Sequence, residues 1–378
     1  MARLAVALSL LLLSAPGFAA DRPAPLNDFV RQKLFEVLAK SEASRFGNLE
    51  QQVLSMVGRE DLFASFLMQR PTCEPERANG VPVDPIETIV ARAASARLVI
   101  INEAHHDSQG RAFIASLLGA LRKKGFAFYA AETFYPSIGA REPPWALMSD
   151  GFYLVEPVFG MTVRRARAFG FTFVPYEAMV LSSHGGDSRA RMIEREETQA
   201  RNLDERLLKA HPTARALVHA GHDHVFERPT ARDFYGVETM ASRLKRIGGA
   251  DPLTIEQTYY ASPIDRPVIC ALPPDSERAA LTDIVIALPP VDFVDKRPAW
   301  RRGLGQKPVA IPIGLRAQAT ASIVEARLAD EPDEAVPVDR LLVRPGETLP
   351  MLLAPGRYRV ESWTRERGWS APVTVVVD

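Results

Sequence analysis

The chain contains only two cysteines, Cys73 and Cys270, and neither belongs to a CxxC pair. Thiolate zinc sites and thioredoxin-like exchange need closely spaced cysteines, so neither is expected. Two readings of the pair stay open: one disulfide, or two separately buried thiols behaving as small hydrophobes. An excess of charge of one sign is also missing, because 46 Lys and Arg face 46 Asp and Glu. A balanced chain gives no electrostatic case for nucleic acid or an anionic membrane as a partner. Beyond residue 20 there is no apolar run of the roughly 20 residues that a helix needs to span a bilayer, so the processed chain is not expected to be an integral membrane protein. Familiar catalytic signatures are absent too: no GxSxG, no GxGxxG after a strand, no P-loop and no HExxH. Serine-elbow, dinucleotide, phosphoryl-transfer and zincin chemistry therefore have no support.

The first residues supply a positive charge at Arg3, an apolar stretch Leu4 to Leu13, and small residues at Ala15, Gly17, Ala19 and Ala20. This is the layout of a secretory signal over residues 1–20, with cleavage after Ala19 or Ala20. The expectation is an exported protein, periplasmic or secreted if bacterial.

Composition is that of a globular protein, 47% hydrophobic and 24% charged, and the length suits one large domain with a smaller companion. Residues 21–85 form a helical N-terminal segment, with helix-period apolar positions such as Phe29, Leu34, Leu38, Val53 and Phe63. Residues 86–305 alternate short apolar runs with helical stretches. The runs are ARLVII from Ala96, FAFYAA from Phe126, FTFV from Phe171 and ARALVHA from Ala214, with more after Leu253. Unalternated β-branched runs suit strands covered on both faces, so the expected fold is α/β with a mostly parallel sheet flanked by helices. Residues 306–378 turn to short strands separated by Pro-Gly or Arg-Gly turns, and predict a small β-sandwich-like domain.

Parallel sheets of this type bind ligands beyond the carboxyl ends of their strands. The residues that follow the runs are Asn102, Glu103, His105 and His106, then Glu132, then Glu177, then His222, Asp223 and His224. Four of the seven histidines fall in two of these short segments. Acids and imidazoles together serve either metal binding or acid/base catalysis. An extended backbone would point Glu103 and His105 to the same side. Gly221 would let the chain turn sharply before His222. Glu132, ending an apolar strand, reads either as a desolvated acid of raised pKa or as a carboxylate paired with an arginine. Arg195, on the long helix after Ser188, could reach the cleft and hold an anion. His184 reads as loop, His211 as a helix-end residue and His219 as a core histidine. The candidate metal set is His105, His106, Glu132, His222 and His224.

The order of these motifs resembles a known group. An Asn-Glu-x-His segment after one strand is followed by Glu132, by a helix reading Arg195-Glu-x-x-Gln-Ala-x-x-Leu203, and by a strand ending in Gly-His-x-His. Over Ile89 to Val225 this is similar to the superfamily of ChaN-like haem-uptake proteins, erythromycin esterase-like hydrolases and TraB/Tiki proteins. Carried over by position, the resemblance implies Glu103, His105, Glu132, Arg195 and His224 as the functional set. Asn102, Glu196 and Gln199 depart from the glycine, aspartate and methionine usual there. His106 and His222 are imidazoles additional to the pattern. The branches differ, some metal-dependent, one haem-binding and one without a metal. The leading expectation is a hydrolase of ester or amide bonds acting on a small molecule or peptide, with a divalent metal as an optional helper. The alternative is a haem- or iron-binding protein, and the third is a catalytically inert scaffold.

Overall fold

The computed structural model describes residues 24–40, 46–139, 143–229 and 236–378. The expected signal segment lies outside the described residues. The central sheet has seven strands: β1 (Leu98–Glu103), β2 (Phe128–Ala131), β3 (Thr172–Pro175), β4 (Ala216–Gly221), β5 (Leu253–Glu256), β6 (Val268–Ile269) and β7 (Ile284–Ala287). Their spatial order is β3-β2-β4-β1-β5-β7-β6, and every pairing is parallel except the antiparallel edge pair β6 and β7. The fold is α/β, as the unalternated runs imply.

Alternate residues of β1 feed opposite cores. Val99 and Ile101 pack with Ile114, Leu117 and Leu121 of α4 (Ser108–Lys123), and with Phe159 and Val163 of α5 (Pro157–Ala168). Leu98 and Ile100 pack with Ala200 and Leu203 of α6 (Ser188–Leu203) and Leu244 of α7 (Met240–Gly248). Each such side chain, moved from water to the interior, contributes roughly 1.5–3 kcal/mol. The outcome is a helix–sheet–helix sandwich in which β1, β2 and β4 lie side by side, so whatever follows them meets at one edge.

Of the N-terminal helices, α1 (Asp28–Leu38) buries Val30, Leu34 and Val37 but leaves the expected Phe29 exposed, α2 (Asn48–Met56) buries Val53, and α3 (Pro85–Arg92) is capped by Asp84, whose side chain accepts from Glu87 N. The C-terminal strands are β8 (Lys307–Ala310), β9 (Ser322–Leu328), β10 (Asp339–Val343), β11 (Pro350–Leu353), β12 (Gly356–Thr364), β13 (Gly368–Trp369) and β14 (Val373–Val377). One antiparallel sheet runs β10-β9-β12-β13, with β14 also on β12, and β8 pairs with β11. Met351 and Leu353 of β11 pack on Val324, Leu341 and Val360, which makes two layers. The outer face, Ile323 and Leu342, is covered by Val30, Leu34 and Val53 of α1 and α2. The N-terminal helices and the C-terminal strands thus share a core.

Candidate functional site

Glu103 ends β1 in the interior, where an unpaired carboxylate would be costly. Arg111, one turn into α4, answers it: Nε donates to Oε2 at 2.6 Å and Nη2 to Oε1 at 2.9 Å. The same guanidinium reaches the His105 carbonyl at 2.8 Å and Glu156 Oε2 at 3.1 Å. Burial opposes the Glu103 charge, yet Arg111, His219 and His105 outweigh it and hold the carboxyl well below its usual range. His105 Nδ1 sits 2.9 Å from Glu103 Oε1. A carboxylate on Nδ1 fixes that nitrogen as the donor and leaves Nε2 as the working one.

That Nε2 lies 3.7 Å from Glu132 Oε1. Glu132 follows β2 and is bound from two other directions. Arg195 Nη2 donates to Oε1 at 2.5 Å, and the Gly221 amide donates to Oε2 at 2.5 Å. Burial again disfavours the charge, but Arg195, His224 and His105 overcome it, so Glu132 is ionised and its pKa lies well below the carboxylate norm. Of the two sequence readings, the arginine-paired one matches this geometry, and the raised-pKa acid does not.

His224 mirrors His105. Its Nδ1 is 2.7 Å from Glu196 Oε1, and its Nε2 is 3.7 Å from Glu132 Oε2. Burial works against the imidazolium, while Glu196 and Glu132 more than compensate and raise its pKa. Two carboxylate-backed imidazoles thus face one central carboxylate from opposite sides. Arg195 closes the ring: Nε and Nη2 pair with Glu177 at 3.0 and 2.5 Å, and Nη1 lies 3.2 Å from His224 Nε2.

The structure brings Glu103, His105, Glu132, Arg195 and His224 together. His106 and His222 stand beside this ring. Their rings are 6.4 Å apart, and His222 meets His105 edge-on at 5.2 Å. His106 Nδ1 and His222 Nε2 are buried without a hydrogen-bond partner. Burial pushes His106 down to about 4, helped by Arg70 against Asp107, and pushes His222 down to about 3, helped by His105 and His106. Both are neutral at pH 7.

Backbone detail alters one expectation. Gly221 has φ −87° and ψ 148°, an ordinary extended conformation. The positive φ belongs to His222, at +35°. Glycine is needed at 221 because a Cβ there would lie 2.4 Å from His105 Cε1 and 2.7 Å from Glu132 Oε2. Asn102 steadies the turn that follows, donating to the His222 carbonyl at 2.7 Å and accepting from Gln257 N at 2.9 Å.

Some participants carried no clear sequence signal. His219 is not merely a packed histidine: its Nε2 is 3.0 Å from Glu103 Oε2, with Tyr129 Oη on Nδ1 at 2.8 Å. Glu177, which follows the third run, grips Arg195 and also accepts from Gln199 Nε2 at 3.1 Å. Arg111, Glu156, Glu196 and Tyr153 are further members. His184 pairs with Glu194 at 2.7 Å, away from the ring.

The donor set does not fit a divalent cation. Carboxylate-backed imidazoles are common around metals, but the Arg195 guanidinium already binds Glu132 and adjoins His224 Nε2, a fixed positive charge where the ion would stand. Among the described residues no three acidic, histidine or cysteine side chains converge as ligands, and His106 and His222 have no third partner. Haem does not fit against His105 Nε2 either, because the gap lined by His105, Glu132, Tyr153 and Gly221 is far smaller than a haem. Both cysteines are joined to each other, so no thiol nucleophile exists among the described residues.

No family model and no curated protein matches the chain. Among solved structures, one of the type III effector HopBA1 is 16% identical with a TM-score of 0.40, over 58% of this chain and 99% of that one. The MARTX toxin effector domain RRSP from Vibrio vulnificus is 15% identical at 0.31, over 66% and 46%. The C-terminal region of Pasteurella multocida toxin, described as having a thiol-protease like catalytic triad, is 12% identical at 0.33, over 92% and 53%. Likenesses this distant carry no functional argument.

Proposed function

We propose that the protein is a hydrolase that cleaves an ester or amide bond with water activated by His105. The observation that carries this reading is the Glu103–His105 contact at 2.9 Å, which turns Nε2 towards Glu132 and Arg195. In the reaction, His105 Nε2 takes a proton from water as the oxygen attacks the substrate carbonyl. Glu103 stabilises the resulting imidazolium, and Arg111 and His219 keep Glu103 ionised for that task. The tetrahedral oxyanion is stabilised by Arg195, which Glu132 and Glu177 hold in place and keep charged. Collapse breaks the bond to the alcohol or amine, which leaves with the proton from His105. The products are the carboxylic acid and the alcohol or amine.

From the motif order we also propose membership of the ChaN-like, erythromycin esterase-like and TraB/Tiki superfamily, a resemblance that supports the pocket rather than one reaction. A small molecule or a peptide in an extracytoplasmic compartment is the proposed substrate setting. The test is to compare wild type with His105→Gln and Glu132→Gln on a panel of ester and peptide substrates. Loss of a general base costs about 10²–10⁴-fold, so kcat/KM is expected to fall by at least about 100-fold in His105→Gln. Unchanged turnover in both variants removes the proposal.

A further inference from the structure

Nothing in the proposed reaction uses Tyr153, yet its ring lies flat on the base. The centroids of Tyr153 and His105 are 3.8 Å apart and the planes differ by 14°. Tyr153 is held there by the residue after Glu132. Thr133 Oγ1 accepts from the Tyr153 amide at 2.7 Å and from the Leu154 amide at 3.3 Å. Gly151 approaches so closely that a Cβ would lie 2.3 Å from the Thr133 carbonyl oxygen. Phe152 braces the ring edge-on at 5.1 Å.

The same short segment supports the other half of the base. Three residues after Tyr153, Glu156 receives Arg111 Nη1 at 3.1 Å and caps α5 through the amides of Val158 and Phe159, each at 2.9 Å. Arg111 in turn fixes Glu103. One segment, residues 151–156, therefore touches both His105, by a stacked ring, and the arginine that holds its carboxylate.

We infer that Tyr153 is a positioning residue: its ring fixes the plane of the His105 imidazole so that Nε2 addresses the reacting water. This rests on reading His105 as the base. The carboxylate alone does not fix that plane, because the ring can still tilt about Cβ–Cγ within the angular tolerance of the Nδ1 hydrogen bond. A flat aromatic contact removes the rotation, and a face of π-electron density also suits the imidazolium formed during turnover. The hydroxyl is not part of the role, which distinguishes it from a proton donor.

The test combines a spectroscopic signature with kinetics. In protein labelled with ¹³C-histidine, the His105 Cε1–H resonance, assigned by its loss in His105→Gln, is expected upfield because it lies over an aromatic face. Tyr153→Leu should move it downfield and Tyr153→Phe should restore it. In parallel, kcat should fall about tenfold or more in Tyr153→Leu with KM little altered, since misplacing a reacting group costs rate more than affinity, and Tyr153→Phe should recover it. If Tyr153→Leu does not fold, Thr133→Val, which removes the acceptor for both amides, should move the resonance and kcat in the same directions, with Thr133→Ser as its rescue. A His105 resonance indifferent to these changes overturns the inference. So does a displaced resonance with full turnover in a reaction that His105→Gln abolishes. If turnover survives in His105→Gln itself, the hydrolase reading fails, and the positioning role for catalysis falls with it.

Discussion

His106 and His222 are imidazoles that folding makes harder to protonate, at about 4 and about 3, against about 6.5 in an unfolded chain. Between those values the unfolded state binds protons that the folded state refuses, so stability rises with pH there. Their contribution is complete above about pH 6.5 and is lost as pH falls through 6 and 5. His224 is raised, so its share is present below the unfolded value and lost only as pH rises through its folded value. Glu60, pushed up to about 7 by burial, does oppose the pair in this window, because it holds a proton that the unfolded chain gives up. Two protons at about 1.4 kcal/mol each per pH unit, not quite fully developed, give the two histidines a share of about 2 kcal/mol per unit between pH 6 and 5. Urea midpoints measured at pH 7, 6 and 5 for wild type and His106→Gln isolate that share, and the variant should lose about 1 kcal/mol per pH unit of the slope between pH 6 and 5. A pH dependence unchanged in His106→Gln would count against the buried neutral pair. These two histidines were legible as neighbours of the site from their segments, but their neutrality was not, because it depends on how deeply the fold encloses them. His219 shows the same limit. Glu103 pairs with Gly221 across β1 and β4, so His219, two residues earlier on β4, faces the side that Glu103 faces. Strand register decides that, and the sequence of one strand does not display its register with another.

At the scale of elements, the end of β4 leaves no room for a side chain beside the site. A methyl group at Gly221 would press on the His105 ring and the Glu132 carboxylate together, while the backbone there accepts any L-residue. Gly221→Ala is therefore expected to fold, with an overpacking cost of about 1–3 kcal/mol. It should also lose about 100-fold or more in kcat, as a shifted reacting group does. Thermal melting and turnover measured side by side check this, and wild-type turnover would mean that both side chains yield without consequence. The strands leading to the site were readable because β-branched runs without alternation report burial on both faces. Two elements were not. The helix α5 reads PVFGMTVRRARA, where Gly160 and β-branched residues weaken the helical signal. The glycine serves a close approach: its Cβ would lie 2.6 Å from Val336 Cγ1, and Glu156 supplies the cap. Strand β9 reads SIVEARL and is almost wholly buried despite two charges. Glu325 pairs with Arg327 and with Arg340, each at 2.5 Å, so partners on other residues hide an apolar setting behind a polar sequence.

Across the whole molecule, distant parts of the chain are tied by buried arginines and one covalent link. Arg340 of β10 donates to the carbonyls of Val155 at 2.6 Å and Pro25 at 3.2 Å, joining the C-terminal sheet to the N-terminal segment and to the stretch that carries Tyr153. Arg164 of α5 donates to Glu331 at 2.7 Å. The covalent link is Cys73–Cys270, which closes a separation of 197 residues and resolves the pair that sequence left open. It lies at one end of the central sheet's strand order, where β6 is the edge strand. There Glu76 N donates to Ile269 O and Ala271 N to Glu74 O, both at 2.7 Å, so residues 74–76 cover an edge that would otherwise offer free pairing groups. Cross-linking so distant a pair restricts the unfolded chain, an effect worth about 2–5 kcal/mol. The double variant Cys73→Ser, Cys270→Ser should lose that much in urea denaturation, and wild type with reductant should behave like it. Two strands, β5 and β7, separate β6 from β1 in the sheet order, so both should retain wild-type kcat at temperatures where they stay folded. Equal midpoints with and without reductant would show that the cover on β6 holds by its hydrogen bonds alone. A loss of kcat in the folded double variant would instead mean that the sheet transmits the change at β6 to Glu103 and His105.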